Sequence, residues 1–178
     1  MTHLKGGRSL GAPGPGEGDV VDQDEVLGFV RGLDGVRVMT AGVGDGSPEI
    51  AWGDSFFLYE PDGRARDRAG FAPFATLVTK DYPGFDTASR LDRPGVFRVN
   101  AAVGRVSFEE VVGRSPAAYA GSGRGCDASE LDRFLPHPVY AAQGWVSVLN
   151  PGPRTADRTR ELLVLARARA VARYRARG

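Results

Sequence analysis

Pro73 to Gly113 reads PFATLVTKDYPGFDTASRLDRPGVFRVNAAVGRVSFEEVVG, and this stretch decides the fold. Two apolar segments, Phe74 to Thr79 and Val96 to Val99, have the composition of strands. Between them lies a polar loop from Tyr82 to Arg93, closed by Pro94-Gly95. A helix follows, with Ser107 as its cap, Glu110 at the capping-box position, and Phe108, Val111 and Val112 on its apolar side. Gly113 and Pro116 end it. The two strands are joined by a loop and not by a helix, which favours antiparallel pairing.

Towards the N-terminus, Ser55 to Tyr59 (SFFLY) is aromatic and β-prone. Pro61-Asp62-Gly63 after it is a turn: fixed φ, an Asx acceptor and a permissive glycine. Val36 to Thr40 (VRVMT) alternates as a half-buried strand does, and Glu49 to Trp52 reads as extended. Upstream, Asp22 and Glu25 form a capping box before Val26, Phe29, Val30 and Leu33, one stripe of a helix from Gln23 to Leu33. Residues 1–21 are rich in glycine and carry Pro13 and Pro15. They have too little apolar surface to offset ordering entropy and read as a disordered leader. The domain is expected over residues 22–178.

Towards the C-terminus, Ala117 to Asp127 reads as a glycine-rich surface loop and Ser129 to Leu135 as a short helical turn. Gly144 to Leu149 (GWVSVL) is a last strand. After Asn150-Pro151-Gly152-Pro153, Thr155 caps a long helix whose Leu163, Ala166, Ala170 and Tyr174 share a face. The expected fold class is α+β: an antiparallel sheet with an N-terminal, a middle and a long C-terminal helix packed on one face.

The composition excludes several classes. One cysteine, Cys126, rules out a disulfide scaffold. No apolar run approaches the ~18 residues of a membrane span, and the N-terminus lacks the apolar core of a secretory signal. The cytoplasm is the expected location, with no membrane partner. Only two histidines are present, His3 and His137, and no Cys/His spacing suits zinc. No metal and no cofactor are expected. Gly121-Ser122-Gly123-Arg124-Gly125 does not sit between a strand and a helix, so it fails the context of a phosphate loop. No nucleophile elbow is present, and Ser55 has no base beside it.

Two constellations carry candidate chemistry. Lys80-Asp81-Tyr82 follows an apolar strand, so its side chains fall at the sheet's end. It offers an anion contact, a base or turn acceptor, and a phenol donor, although turn chemistry alone also explains Asp81. His137 stands between Pro136 and Pro138, held extended because a residue before proline avoids the α region. It is an acid–base candidate or a strand pin. Asp54 precedes SFFLY and would pair with His137 if the two were adjacent. The candidate catalytic residues are Lys80, Asp81, His137 and Asp54; the candidate ligand contacts are Trp52, Lys80, Tyr82 and Tyr140. After residue 153, eight arginines face Asp157 and Glu161 alone. They wrap the helix instead of forming a stripe, which reads as solvated arginines around a core face more than as a nucleic-acid surface.

WGDSFFLYEPDG, PFATLVTKDYPGFD, LDRPGVFRVN and LPHPVYAAQGWVSVLNPG together resemble an uncharacterised domain-of-unknown-function family of high-GC bacteria, which carries no assigned activity. More distantly, the Val26–Leu33 helix, SFFLY, Tyr140 through Trp145 and the last helix are similar to MmcQ/YjbR-like domains. That resemblance implies a CyaY-like sheet and a DNA-binding role. The absence of a catalytic constellation, together with that distant resemblance, leads to a non-enzymatic module binding a small ligand or partner. A small enzyme with a Lys/Asp/His cleft and nucleic-acid binding through the arginine-rich end are the alternatives.

Overall fold

The computed structural model describes residues 21–63, 72–121 and 126–176. Residues 1–20, most of the expected leader, lie outside them, as does the charged stretch 64–71. The elements run α1 (Gln23–Arg31), β1 (Val36–Thr40), β2 (Ser55–Tyr59), β3 (Ala75–Val78), β4 (Arg98–Ala102), α2 (Gly104–Val112), β5 (Phe134–Pro136), β6 (Trp145–Leu149) and α3 (Ala156–Arg175). The strands form one six-stranded sheet in the order β1-β2-β3-β4-β6-β5. Every neighbouring pair is antiparallel. The fold is therefore the expected α+β arrangement.

Alternation along the strands gives the sheet two chemically different faces. On one, Phe57, Ala75, Leu77, Val99, Ala101, Val146 and Val148 are buried. They form one core with Val26 and Val30 of α1, Phe108 of α2, and Leu162, Leu163, Ala166 and Ala170 of α3. Full burial of a large apolar side chain such as Phe57 or Phe108 contributes about 1.5–3 kcal/mol, so this layer holds the helices in place. The other face carries Met39, Phe56, Thr76, Val78, Arg98, Asn100, Ser147 and Leu149, following the strand register. A smaller cluster of Val78, Leu91, Leu135 and Leu149, with Tyr82 and Val96 against it, covers part of that second face.

Helix boundaries follow local chemistry at α1 and tertiary contacts elsewhere. The Asp22 carboxylate accepts from Glu25 N–H and the Glu25 carboxylate from Asp22 N–H, both at 2.8 Å, which is the expected capping box. Helix α2 begins at Gly104, not at Ser107, which is buried within it. Gly104 N–H donates to Gly144 O, a contact that fixes the turn of the chain from β4 into α2. Thr155 does stand at the N-cap of α3, but its side chain makes no cap. The hydroxyl donates instead to Asp132, whose carboxylate also accepts from the N–H groups of Gly152 and Arg154. The start of α3 is thus held by a residue from a distant segment.

Three further expectations are corrected. Glu49 to Ala51 is a 3-10 turn and not extended chain. Phe134–Pro136 is a strand paired with β6, so the helical turn expected over 129–135 does not form. The local pattern lost to cross-strand pairing, which outweighs weak helical propensity. Strand β4 begins at Arg98, two residues later than Val96, because Asn150 ties the approach to it: its Oδ1 accepts from Phe97 N–H and its Nδ2 donates to Gly95 O. Among the described residues no helix is long and apolar enough to cross a membrane.

Gly144 has φ +79°, and a Cβ there would lie 3.0 Å from the Gly104 backbone. The obstacle is main chain and cannot swing aside. Gly144→Ala is therefore expected to destabilise the protein by about 1–3 kcal/mol, read as a lowered urea midpoint with an unchanged m-value; an unchanged midpoint would contradict this close approach.

Candidate functional site

The second face of the sheet is the floor of a cavity of about 930 Å³. Thr76 on β3 and Arg98 and Asn100 on β4 lie in that floor, flanked by Phe56 and Met39. One wall is the connection between β1 and β2, through Asp45, Ser47, Pro48 and Ala51. The opposite wall is the connection between β3 and β4, through Tyr82, Phe85 and Asp86, and the His137–Tyr140 turn closes the end. Long connections on a rigid sheet are a usual source of binding surfaces. Here three of them converge on the face that the helices leave open.

The floor is a hydrogen-bonded polar row across three strands. Asn100 Nδ2 donates to Thr76 Oγ1 at 2.9 Å, and Ser147 Oγ donates to Asn100 Oδ1 at 2.7 Å. Beside it, Arg98 is only 2 % exposed. Its two terminal nitrogens pair with both oxygens of Asp86, at 3.2 and 2.6 Å, and Nη1 also donates to Ser89 Oγ at 2.7 Å. This bidentate pair seats the β3–β4 connection on the sheet.

A second clasp holds Tyr82. Asp54 is fully buried at the entry to β2. One carboxylate oxygen accepts from Thr79 N–H at 2.7 Å and from the Thr79 hydroxyl at 2.9 Å. The other accepts from the Tyr82 phenol. Burial pushes the Asp54 carboxyl above its ordinary value, against the hydrogen bonds from Tyr82 and Thr79 and the nearby Lys80 ammonium. Burial first, and then the bond to Asp54, push the Tyr82 phenol well above its own. The phenol is thus a fixed donor that places its ring in the cavity wall.

His137 is 5 % exposed. Its Nδ1 accepts from Val139 N–H at 3.0 Å and Tyr140 N–H at 3.1 Å, which leaves the ring proton on Nε2. Burial, helped by the Arg98 guanidinium and opposed by Asp86, lowers its pKa to about 3. The ring lies tilted against Tyr140 and edge-on to Trp145, with centroids 4.9 and 6.2 Å away.

The chain belongs to DUF6194, a family of unknown function. The family model matches residues 21–178, which include every residue of the cavity. No curated protein and no solved structure matches the chain.

Within this member of DUF6194, the residues singled out by sequence fall into two groups. Asp54, Lys80 and Tyr82 come together with Trp52: Lys80 Nζ donates to the Trp52 carbonyl and so ties the 47–52 turn to the end of β3. His137 lies beside Arg98 and Asp86 and next to Tyr140. No hydrogen bond joins His137 to Asp54. Asp81 accepts from Leu91 N–H at 2.9 Å, so it organises the loop. Of these residues Tyr82, His137 and Tyr140 line the cavity, while Asp54 and Lys80 support its wall from behind. Trp52 lies in that same supporting layer, its indole N–H on Ser47 O at 3.3 Å.

Sequence reasoning missed Arg98, Asn100, Thr76, Asp86 and Phe85. Arg98 and Asn100 alternate with Val99 and Ala101, and that period of two marks a strand with one polar, occupied face. Asp86 carries no local signal, since its role depends on the loop folding back over β4. Among the described residues no group of three or more His, Cys, Asp and Glu side chains is placed to hold a metal ion.

Two outcomes follow from these partners. Asp86→Ala leaves the Arg98 guanidinium buried and uncompensated, at a cost of about 3–5 kcal/mol in urea-denaturation stability; a loss below about 1 kcal/mol would mean that the pair is not desolvated. For His137, the folded ring stays neutral while the unfolded one takes a proton near its ordinary value of 6.5. Stability is therefore full above pH 6.5 and lost as pH falls towards the folded value of about 3, by up to about 1.4 kcal/mol per pH unit. His137→Asn keeps an acceptor for the two backbone N–H groups but cannot titrate. Its Tm is expected to fall less than the parent's between pH 7 and pH 4.5, and equal falls would contradict the assignment.

Proposed function

We propose that this protein binds a small organic molecule in the cavity on the open face of its sheet. The observation that carries this reading is the cavity itself: about 930 Å³, apolar on Met39, Phe56, Val78 and Phe85, with a few polar groups converging at Thr76, Asn100 and Arg98. That size and that lining suit a drug-sized ligand. Phe85 and Tyr140 at the rim are 60 % and 39 % exposed and lie 6.3 Å apart by centroid, which is an apolar surface for an entering ligand to meet.

Binding is favoured over catalysis because three of the four acid–base candidates already have partners. Lys80 is spent on the Trp52 carbonyl, Asp81 on Leu91 N–H, and Asp54 on Thr79 and Tyr82. Nucleic-acid binding through α3 is disfavoured by its pairing pattern. Arg158 pairs with Glu110 and Glu161, and Arg160 with Asp157, while Arg167 donates to the Asp34 carbonyl. A tie to MmcQ/YjbR-like domains rests on element order alone: a first helix, an antiparallel sheet, the strand bearing Trp145 and a last helix.

The test uses Nile red, an uncharged dye whose emission rises in apolar surroundings. The parent protein is expected to raise its emission saturably. A double variant, Met39→Trp with Thr76→Phe, fills the floor and is expected to weaken the dye's affinity at least about tenfold while keeping a cooperative thermal transition. Equal affinity in parent and variant, or no binding by the parent, would overturn the reading.

A further inference from the structure

We propose that the cavity takes an uncharged, largely apolar molecule that presents a carbonyl-type acceptor to the floor, and that it rejects carboxylates; this rests on the cavity being a binding site. The floor holds donors without acceptors. Arg98 lines the cavity, and its Nε–H is buried with no hydrogen-bond partner among the described residues. The Nε2–H of His137, which also lines the cavity, has no acceptor among them either. A buried donor left unpaired is costly, so a ligand acceptor there gains more than an ordinary hydrogen bond would.

The polar row adds to this surplus. The Thr76 oxygen is occupied as an acceptor by Asn100, which leaves the hydroxyl proton of Thr76 free to donate. Asn100 spends one of its two amide protons on Thr76 and keeps the other. The floor thus offers three donors, and His137 Nε2–H adds a fourth at the closed end.

Charge decides what kind of acceptor fits. The Arg98 charge is matched by Asp86, whose two oxygens are both taken by the guanidinium. The His137 ring is neutral, with Nδ1 filled by two N–H groups. The interior thus carries no net charge to neutralise an incoming anion. At the mouth, Asp45 presents a carboxylate whose charge is held by the N–H groups of Ser47 and Gly42. An anion meets that charge first, and at Arg98 it finds a single Nε–H on a guanidinium whose charge Asp86 already matches. A buried anion without a partner is strongly disfavoured.

The test is a set of three shape-matched probes titrated into the full chain by protein-observed NMR: 4-acetylbiphenyl, 4-isopropylbiphenyl and biphenyl-4-carboxylate. The ketone is expected to bind about tenfold more tightly than the hydrocarbon, and at least about tenfold more tightly than the carboxylate. It is also expected to shift the Arg98 Nε–H resonance. Equal affinity of ketone and hydrocarbon would overturn the acceptor claim, and carboxylate binding as tight as ketone binding would overturn the charge claim. In both cases cavity binding itself stands. If none of the three moves the resonances of Thr76, Asn100 or Tyr82, the binding reading falls together with this one. Asp86→Asn frees the Arg98 charge and is expected to shift the preference towards the carboxylate by at least about tenfold; an unshifted preference in the folded variant would count against Arg98 as the group that reads charge. The wild-type series decides the proposal whether or not that variant folds.

Discussion

The buried pair of Arg98 and Asp86 is the constraint on which the second face of the sheet depends. An arginine at the start of a central strand, almost wholly out of water, carries a desolvation penalty of several kcal/mol. The strand can hold it only because the β3–β4 connection folds back and delivers Asp86 and Ser89 to it. The same fold-back brings Leu91 onto Val78 and Leu149, and it sets Tyr82 and Phe85 opposite the 45–51 wall. An ion pair of this kind contributes less net stability than an apolar replacement often would. Its effect here is geometric: it selects one conformation for a long connection that has little regular structure of its own.

The two faces of the sheet separate the packed core from the cavity. All three helices pack against one face and share a single core with it. The connections that gather over the other face are tied by side chains to backbone: Lys80 to the Trp52 carbonyl, Asp81 to Leu91 N–H, Asn150 to Gly95 and Phe97. Such ties fix a wall without filling the space it encloses, which is why a cavity persists beside a well-packed core.

The sequence made the fold class legible because its evidence is local and periodic. The Asp22–Glu25 box, the alternation of VRVMT, the aromatic SFFLY and the apolar face of the last helix each decide an element from adjacent residues. Strand β5 was not legible, since Phe134-Leu135-Pro136 becomes a strand only by pairing with β6. The capping of α3 was hidden for the same reason, with Asp132 lying twenty or more positions upstream of the groups it caps. For the site, Lys80-Asp81-Tyr82 and His137 stood out through turn chemistry and proline flanks. Arg98 and Asn100 were missed because a strand reading that ends at Val99 never reaches the alternation that puts them on one face.

The row of Thr76, Asn100 and Ser147 has a consequence for how the chain finds its pairing. A slip of one residue between β3 and β4 or between β4 and β6 would turn these polar side chains towards the helices and bring Leu77, Val99 and Val148 out of the core. A slip of two residues would keep the faces but separate Asn100 from both of its partners, leaving its amide buried and unpaired. Hydrophobic burial alone discriminates poorly against the two-residue error. The amide of Asn100 reads its neighbours on both sides at once, so it proofreads the alignment of three strands. Substitution at this floor is therefore tied to keeping the sheet in register.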